Sequence, residues 1–290
     1  MSGDGGVDAA YPVAGVIGWP VGHSKSPVLH GHWLARYGLA GAYVPMAVPP
    51  AGLKRALAAL PLFGFRGCNI TVPHKEAAIA AMDTVDGFAR RIGAINTVVI
   101  DDEGRLHGSN TDGFGFLENL RAAGGWRAEA GPAVVLGAGG AARSIVAALL
   151  DAGVPELRLV NRTTARAEAL AGEIAGADGR RARVVDWTER GEALAGAALL
   201  VNTTTLGMAG QPPLDLPLDA LPDTARVTDI VYAPLVTPLL AAARARGLVT
   251  VDGLGMLLHQ ARPGFEAWFG VRPTVDAALR AAVLDDAEAA

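Results

Sequence analysis

Short apolar runs alternate with amphipathic stretches along almost the whole chain. Short runs rich in Val, Ile and Leu are typical of buried strands, whereas stretches whose apolar residues recur three and four positions apart are typical of helices. This alternation predicts an α/β protein with mostly parallel sheets, because a helix placed between two strands lets them run in the same direction.

The N-terminal part of the chain combines apolar runs, helical stretches and a hairpin. The predicted strands cover residues 13–18, 42–48 and 67–72, and the predicted helices cover 26–37, the stretch from 50 to 60, and short pieces between 75 and 91. The arms of the hairpin are 94–100 and 105–108, with a polar turn at 101–104. A Gly-containing turn between two apolar runs favours this connection.

The pattern starts again after Asp112. The predicted strands are 133–136, 157–160, 183–185, 198–201, 227–231 and 248–251, and the predicted helices are 113–123, 141–152, 164–175 and 237–246. The stretch 253–270 predicts one more helix, interrupted at Pro263 and Gly264. Proline lacks the N–H that a helix interior needs, so we expect a kink in this helix.

A length of 290 residues predicts two domains. The boundaries are placed near Asp112 and Asp252. Residues 1–112, completed by C-terminal helices within 253–290, form the first domain, and residues 113–252 form the second.

Composition narrows the possible partners and location. A net charge of −4 gives no reason to expect binding to nucleic acid or to an anionic membrane. The longest uncharged stretch, 193–214, is broken by polar residues, glycines and prolines, so no membrane span is expected. Cys68 is alone, which excludes an intrachain disulfide and a cysteine metal site. The first ten residues do not resemble a signal peptide, and a cytoplasmic location is expected.

A glycine turn joins the strand at 133–136 to the following helix. Gly137 permits the tight turn, Gly139 lets the backbone approach a pyrophosphate, and Ala142 is small enough for close packing of helix on strand. The free N–H groups at the helix N-terminus then point at the phosphates. The strand before and the helix after favour a dinucleotide site over a plain structural turn.

The end of the next strand indicates which dinucleotide binds. An NAD site usually has Asp or Glu there, to bond the ribose 2′-hydroxyl. This chain has Asn161, Arg162 and Thr163, with Arg166 three residues later. Guanidinium groups attract a 2′-phosphate and match its geometry, so the loop predicts NADP as the cofactor. Taken singly, either arginine would be an ordinary surface residue.

Six polar motifs, in this order, surround the glycine turn and the loop that follows it. They are GWPVGHSKSPVLH at 18–30, NITVPHK at 69–75, GAINTV at 93–98, NTDGFGF at 110–116, VNTTTLGM at 201–208 and DGLGMLLHQ at 252–260. With these motifs the chain resembles the shikimate dehydrogenase family from about residue 11 to about residue 271. Each string alone could arise by chance, but the ordered set is highly specific.

The resemblance implies a two-domain α/β fold. An N-terminal substrate domain would be combined with a Rossmann-type doubly wound NADP-binding domain, with the chemistry in the cleft between them. The implied reaction is the reversible NADPH-dependent reduction of 3-dehydroshikimate to shikimate, on the pathway to chorismate and the aromatic amino acids. No metal is implied. The expected partner is the small-molecule substrate, and the expected state is a monomer or a homodimer.

The resemblance also assigns the substrate site. Lys75 matches the proton-transfer residue, and Asp112 matches the carboxylate beside it. Ser24 and Ser26 match the two hydroxyls that hold the substrate carboxylate, and Tyr232 matches a residue beside that carboxylate. Further contacts to substrate hydroxyls match Thr71, Asn96, Asp112 and Gln260. Without the resemblance, several of these residues would be read as helix caps or surface polar groups.

The cofactor site follows in the same way. The matching positions are Gly137, Ala138, Gly139, Gly140 and Ala141 in the turn, then Asn161, Arg162, Thr163, Arg166, Thr203, Ile230 and Gly253. Ile230 occupies the place of an apolar residue against the nicotinamide. One departure from the family pattern is Pro263-Gly264, which interrupts the helix that carries Gln260.

Three alternatives to this function stay open on the sequence. One is a quinate/shikimate dehydrogenase that uses NAD, and another is an NADP-binding regulatory homologue without catalysis. A related two-domain dehydrogenase acting on a folate substrate is the third, and the Ser24/Ser26 pair disfavours it.

Overall fold

The chain is described here by a computed structural model that covers residues 11–175 and 182–289. Its contacts divide it into two compact units, one running up to Asn110 and resuming at Ala261, the other spanning Thr111–Gln260. Each unit is built on a six-stranded sheet. The first division falls two residues before the expected boundary near Asp112, and the second falls eight residues after the one near Asp252. The reason is that the helices 112–124 and 254–260 pack against each other within the second unit.

The N-terminal segment of the first unit supplies all the strands of its sheet. The elements are β1 Val13–Gly18, α1 Ser26–Tyr37, β2 Ala42–Ala47, α2 Leu53–Ala59, β3 Phe65–Ile70, β4 Thr84–Val85, α3 Gly87–Ile92, β5 Thr97–Ile100 and β6 Leu106–Ser109. The strand order is β2-β1-β3-β5-β6-β4. β1 runs parallel to β2 and β3, whereas β5 runs antiparallel to β3 and β6. The carboxyl ends of β1 and β3 and the amino end of β5 therefore lie at one edge of the sheet.

The second unit is a regular alternation of helices and strands. Its elements are α4 Asp112–Gly124, β7 Ala133–Leu136, α5 Gly140–Asp151, β8 Leu157–Val160, α6 Thr164–Ala175, β9 Ala182–Val185, β10 Leu199–Asn202, β11 Arg226–Asp229, α7 Pro238–Ala245, β12 Val249–Val251 and α8 Leu254–Gln260. Every pairing in the order β12-β11-β10-β7-β8-β9 is parallel. β7 is apolar, β10 is apolar except for Asn202 at its end, and both are buried along their length, as expected of central strands covered on both faces.

The sheet of the second unit reverses its winding at β7. The chain passes from β7 outward to β8 and β9, then returns to β10 on the other side of β7. Such a switch point opens a crevice at the carboxyl ends of the strands, where ligands bind in doubly wound sheets. The predicted fold class is confirmed.

The last two helices, α9 Arg262–Phe269 and α10 Ala277–Ala289, belong to the first unit. The Trp268 indole donates to the carbonyl of Val98 on β5 at 3.0 Å. On α1, the Trp33 indole donates to the carbonyl of Thr274 at 2.9 Å. These buried contacts attach the C-terminal segment to a sheet formed much earlier in the chain.

The structure differs from the sequence prediction in several elements. β5 begins at Thr97, three residues later than the predicted hairpin arm. β3 begins and ends two residues earlier than expected, and the short strand β4 was not predicted. The interruption near Pro263 is a break between α8 and α9 at Ala261, not a kink at the proline. Pro263 lies in the first turn of α9, where its missing N–H removes no helical hydrogen bond.

Candidate active site

The glycine turn after β7 has the shape that a dinucleotide site requires. Gly137 has a φ of +108°, and a Cβ there would lie 2.5 Å from Thr203 Oγ1, so a larger residue would clash. Within the described part of the chain, and apart from the adjoining residues and the backbone of the same helix, no atom lies within 4 Å of a Cβ built on Gly139 or Gly140. α5 begins at Gly140, and Ala142 is fully buried in its first turn. An exposed glycine backbone that opens a helix N-terminus fits a pyrophosphate.

Three more predicted cofactor residues lie at the same edge, each following a neighbouring strand. The backbone N–H and the hydroxyl of Thr203 both donate to the carbonyl of Leu136, at 2.9 and 2.6 Å. The N–H of Ile230 donates to the carbonyl of Asn202 at 3.1 Å. A Cβ on Gly253 would lie 2.3 Å from the Ile230 carbonyl oxygen. Glycine is thus the residue that permits this close approach of the loops after β11 and β12.

The loop after β8 carries the predicted 2′-phosphate contacts. The Asn161 amide donates to the carbonyl of Thr163 at 2.8 Å, and the N–H of Arg166 donates to the same carbonyl at 3.0 Å. Arg162 and Arg166 are both exposed. The loop is therefore a short turn held by its own hydrogen bonds, with two guanidinium groups open to solvent.

In the first unit, Ser24 and Ser26 lie in the turn between β1 and α1. The N–H of Ser24 donates to the carbonyl of Val21 at 3.0 Å, and the N–H of Ser26 donates to Ser24 Oγ at 3.3 Å. Ser26 is the first residue of α1 and Lys25 is its N-cap. Ser24 thus stabilises the start of the helix, and both hydroxyls lie at its N-terminus, where the helix dipole favours an anion.

The other predicted substrate residues of this unit follow along the same sheet edge. The N–H of Thr71 donates to the carbonyl of Ile17 at 2.9 Å, just beyond the end of β3. The carbonyl of Lys75 accepts from the N–H of Ile95 at 2.9 Å, one residue before Asn96. The structure thereby brings Ser24, Ser26, Thr71, Lys75 and Asn96 to one edge.

Asn96 is held by a buried network that the sequence analysis did not find. Its carbonyl accepts from the N–H of Ile70 at 2.9 Å and from the Asn69 amide at 3.0 Å. Its side-chain oxygen accepts from the Thr97 hydroxyl at 2.9 Å. The phenol of Tyr43 donates to Asn69 Oδ1 at 2.6 Å. In the sequence, this network is indicated only by polar residues, such as Asn69 and Thr97, that stand within otherwise apolar strands.

Asp112, Tyr232 and Gln260 belong to the second unit. Asp112 is buried and is the first residue of α4, with Thr111 at the N-cap, so Asp112 is not the helix cap that its place before a predicted helix would indicate without the resemblance. Gln260 ends α8, and a Cβ on Gly115 would lie 2.5 Å from Gln260 Cβ. Glycine at 115 therefore lets α4 approach the predicted substrate amide closely. Tyr232 is half-buried in the loop after β11.

His74 and Cys68 are buried in structural positions and not in a cluster of metal ligands. His74 is buried, and its Nε2 lies 2.7 Å from the carbonyl of Val48, which links the loops after β2 and β3. Cys68 is buried in β3, and burial raises the pKa of its thiol. Among the described residues no group of three or more His, Cys, Asp or Glu side chains could hold a metal ion. Over the same residues, no helix has the length and apolar character to cross a bilayer.

The second unit is a nucleotide-binding α/β unit with its ligand edge at the switch point. The first unit gathers hydroxyl, amide and amine groups at the edge of a second sheet. These features define the class of two-unit α/β oxidoreductases that use a nicotinamide cofactor.

Known proteins share the sequence and the fold. The shikimate dehydrogenase substrate binding domain matches residues 16–98, shikimate / quinate 5-dehydrogenase matches 125–206, and the shikimate 5′-dehydrogenase C-terminal domain matches 253–283. The shikimate dehydrogenase (NADP(+)) of Rhodospirillum rubrum is 67% identical over 273 residues, which are 94% of this chain and 96% of the relative. The chain belongs to the shikimate dehydrogenase family.

Solved structures agree with this assignment. Quinate dehydrogenase from Corynebacterium glutamicum in complex with NAD aligns with a TM-score of 0.87 at 35% identity, covering 94% of this chain and 98% of that one. Shikimate 5-dehydrogenase from Thermus thermophilus in complex with NADP(H) and shikimate aligns with a TM-score of 0.83 at 41% identity, with the same coverage.

Proposed function

We propose that this chain catalyses the reversible NADPH-dependent reduction of 3-dehydroshikimate to shikimate. The observation that carries the proposal is the ligand edge of the second unit, where the glycine turn, Thr203, Ile230 and Gly253 follow neighbouring parallel strands and two exposed arginines follow β8. The 67% identity to a shikimate dehydrogenase (NADP(+)) supports the substrate.

Lys75 and Asp112 are proposed as the acid–base residues. Bound NADPH supplies a hydride to the substrate ketone, and the resulting alkoxide needs one proton. Lys75 donates that proton in the direction of reduction and accepts it in the direction of oxidation, while Asp112 acts with it as the anionic residue. The backbone of Lys75 is fixed by the Ile95 hydrogen bond, which limits where its amine can reach.

The remaining polar residues are proposed to orient the substrate. Ser24 and Ser26 hold its carboxylate, with Tyr232 beside it. The substrate hydroxyls are bound by Thr71, Asn96, Asp112 and Gln260. A polyhydroxylated acid has little apolar surface, so its recognition depends on several fixed hydrogen bonds, and leaving any site group unpaired is costly.

For the cofactor, we propose that the glycine turn, Gly137–Ala141, binds the pyrophosphate through the N–H groups that open α5. The N–H of Gly137 itself donates to the carbonyl of Val160 at 2.8 Å. Asn161, Arg162, Thr163 and Arg166 surround the 2′-phosphate, and Thr203, Ile230 and Gly253 lie along the nicotinamide half. The open backbone at Gly139 and Gly140 fits this arrangement.

A quinate/shikimate dehydrogenase that uses NAD is the second candidate, because a quinate dehydrogenase in complex with NAD shares the fold at a TM-score of 0.87. The absence of an Asp or Glu from residues 161–166 disfavours NAD. We further propose a cytoplasmic enzyme that is a monomer or a homodimer.

Steady-state kinetics with shikimate and quinate, each with NADP and NAD, test the proposal. The absorbance at 340 nm measures the rate of each reaction. We expect the highest kcat/KM for shikimate with NADP. Equal or better rates with quinate or NAD would favour the second candidate. No dehydrogenase activity with any pair would indicate the non-catalytic alternative.

A further inference from the structure

A buried carboxylate ties together the loops that follow β10 and β11. Asp229 is the last residue of β11 and is fully buried. Its Oδ1 accepts from the N–H of Val231 at 3.0 Å and from Asn202 Nδ2 at 3.1 Å. Its Oδ2 accepts from the Thr237 hydroxyl at 2.8 Å. One side chain therefore holds the end of β10, the loop after β11 and the start of α7.

Asn202 extends this network into the loop that begins with Thr203. Its Oδ1 accepts from the N–H and the hydroxyl of Thr204, at 3.0 and 2.7 Å. Its Nδ2 donates to the carbonyl of Leu206 at 3.1 Å in addition to Asp229. The Asn202 amide thus fixes the loop backbone at Thr204 and at Leu206. The position of the Asn202 amide in turn depends on its hydrogen bond to Asp229.

Holding two strand ends with a buried carboxylate costs free energy, because the charged group loses its hydration. Burial raises the pKa of Asp229, and the hydrogen bonds from Val231, Asn202 and Thr237 only partly oppose this. An apolar pair of similar volume would stabilise a strand end at lower cost. The polar network lies at the ligand edge beside the switch point, next to Thr203 and Ile230, which favours a role in that site.

We propose that Asp229 is a positioning residue, which, through Asn202 and Thr237, holds Thr203 and Ile230 against the nicotinamide half of the cofactor. This inference rests on the proposed function. In the sheet order, β10 and β7 separate β11 from β8. At about 4.8 Å per strand, the network is about 14 Å from the loop proposed for the 2′-phosphate. The two halves of the cofactor should therefore respond differently to a change at Asp229.

Two variants weaken the network in different ways. Asp229→Asn keeps the shape but places an N–H₂ group against the Thr237 hydroxyl, which already accepts from the N–H of Leu240 at 3.3 Å. Thr237→Val removes, at nearly constant volume, both the donor to Asp229 and the acceptor of the Leu240 N–H at the N-cap of α7, whereas Thr237→Ser retains both. Asp223→Asn is the matched control, because Asp223 is an exposed carboxylate of the same unit.

Calorimetry measures the binding of NADP and of adenosine 2′,5′-bisphosphate, which carries the 2′-phosphate but no nicotinamide. For Asp229→Asn and Thr237→Val we expect weaker NADP binding and a kcat lowered at least about tenfold, since a misplacement of about 1 Å can cost about 100-fold. Binding of the bisphosphate should stay within about twofold, as expected for a distant site. Thr237→Ser should restore most of what Thr237→Val loses.

Equal loss of both ligands would overturn the inference, since it would show a general structural role. Unchanged NADP binding and kcat in the two variants would overturn it as well. If the wild type has no dehydrogenase activity, the proposed function fails, and the calorimetric comparison alone still decides the role of Asp229.

Discussion

Lys75 lies just beyond β3 at the end of the NITVPHK motif, and its proposed role is confined to its amine. Lys75→Ala should lose most of kcat and keep much of its affinity for shikimate, because general acid–base groups contribute about 10²–10⁴-fold. Steady-state kinetics and equilibrium binding of shikimate measure the two effects. Lys54→Ala, which removes an exposed lysine of α2, is the control. A near-wild-type kcat in a folded Lys75→Ala variant would exclude Lys75 as the proton-transfer residue.

The two serines near the start of α1 differ in what their removal changes. Ser24 Oγ accepts the Ser26 N–H, so Ser24→Ala also loosens the turn, whereas Ser26→Ala removes a hydroxyl with its backbone bond intact. We expect Ser26→Ala to raise the KM for shikimate about 10–150-fold, the equivalent of about 1.5–3 kcal/mol for a hydrogen bond to a charged group. KM for NADP should change little. An unchanged KM for shikimate would place the substrate carboxylate elsewhere.

At the scale of an element, the loop between β8 and α6 is proposed to determine the choice between NADP and NAD. Arg162→Ala combined with Arg166→Ala should raise the KM for NADP strongly and leave the KM for NAD nearly unchanged, because only NADP has a 2′-phosphate to pair with the guanidinium groups. Added salt should reduce the NADP preference of the wild type and have little effect on the double variant.

Arg244→Ala, at an exposed position on α7, is the control for the loss of a positive charge in the same unit. A double variant that keeps its NADP preference would contradict this account of the loop, and so would a wild type that uses both cofactors equally.

Elements with strong local patterns were predictable from the sequence, and those set by distant contacts were not. β7, β8 and α6 have the expected bounds, since apolar runs and caps define them locally. The two-residue β4 has too few residues to show a period, and it exists because it pairs with β6. Motifs located the candidate residues, but the Asp229 network depends on three segments brought together by the sheet.

At the scale of the whole molecule, the buried His30 should make the first unit less stable in mild acid. Its ring stacks on Tyr43 with centroids 3.9 Å apart, and burial lowers its pKa from 6.5 to about 3, although Asn69 partly opposes the shift. Between these values the unfolded chain binds a proton that the folded chain does not. The free energy of unfolding should therefore fall as pH decreases through this range, by up to about 1.4 kcal/mol per pH unit.

Denaturant unfolding at pH 7, 6 and 5 measures this dependence. The range lies above that in which Asp101 and Asp276, whose pKa values are lowered by hydrogen bonds, would lose their stabilisation. His30→Leu should flatten the dependence, and the exposed His23→Leu should leave it as in the wild type. An equally steep dependence in His30→Leu would show that another group binds the proton.

The attachment of α9 and α10 to the first sheet has a consequence for how the protein is made. Trp268 and Thr274 bond to residues synthesised long before them, so the first unit lacks part of its core until α9 and the segment that follows it have been synthesised. The second unit is contiguous and complete once Gln260 has left the exit tunnel. A chain ending at Gln260 should show, by limited proteolysis, a protected fragment near 111–260 and rapid digestion of 11–110. The strands of the first unit would thus stay accessible to proteases and chaperones until α9 and α10 emerge, although they are synthesised before the second unit.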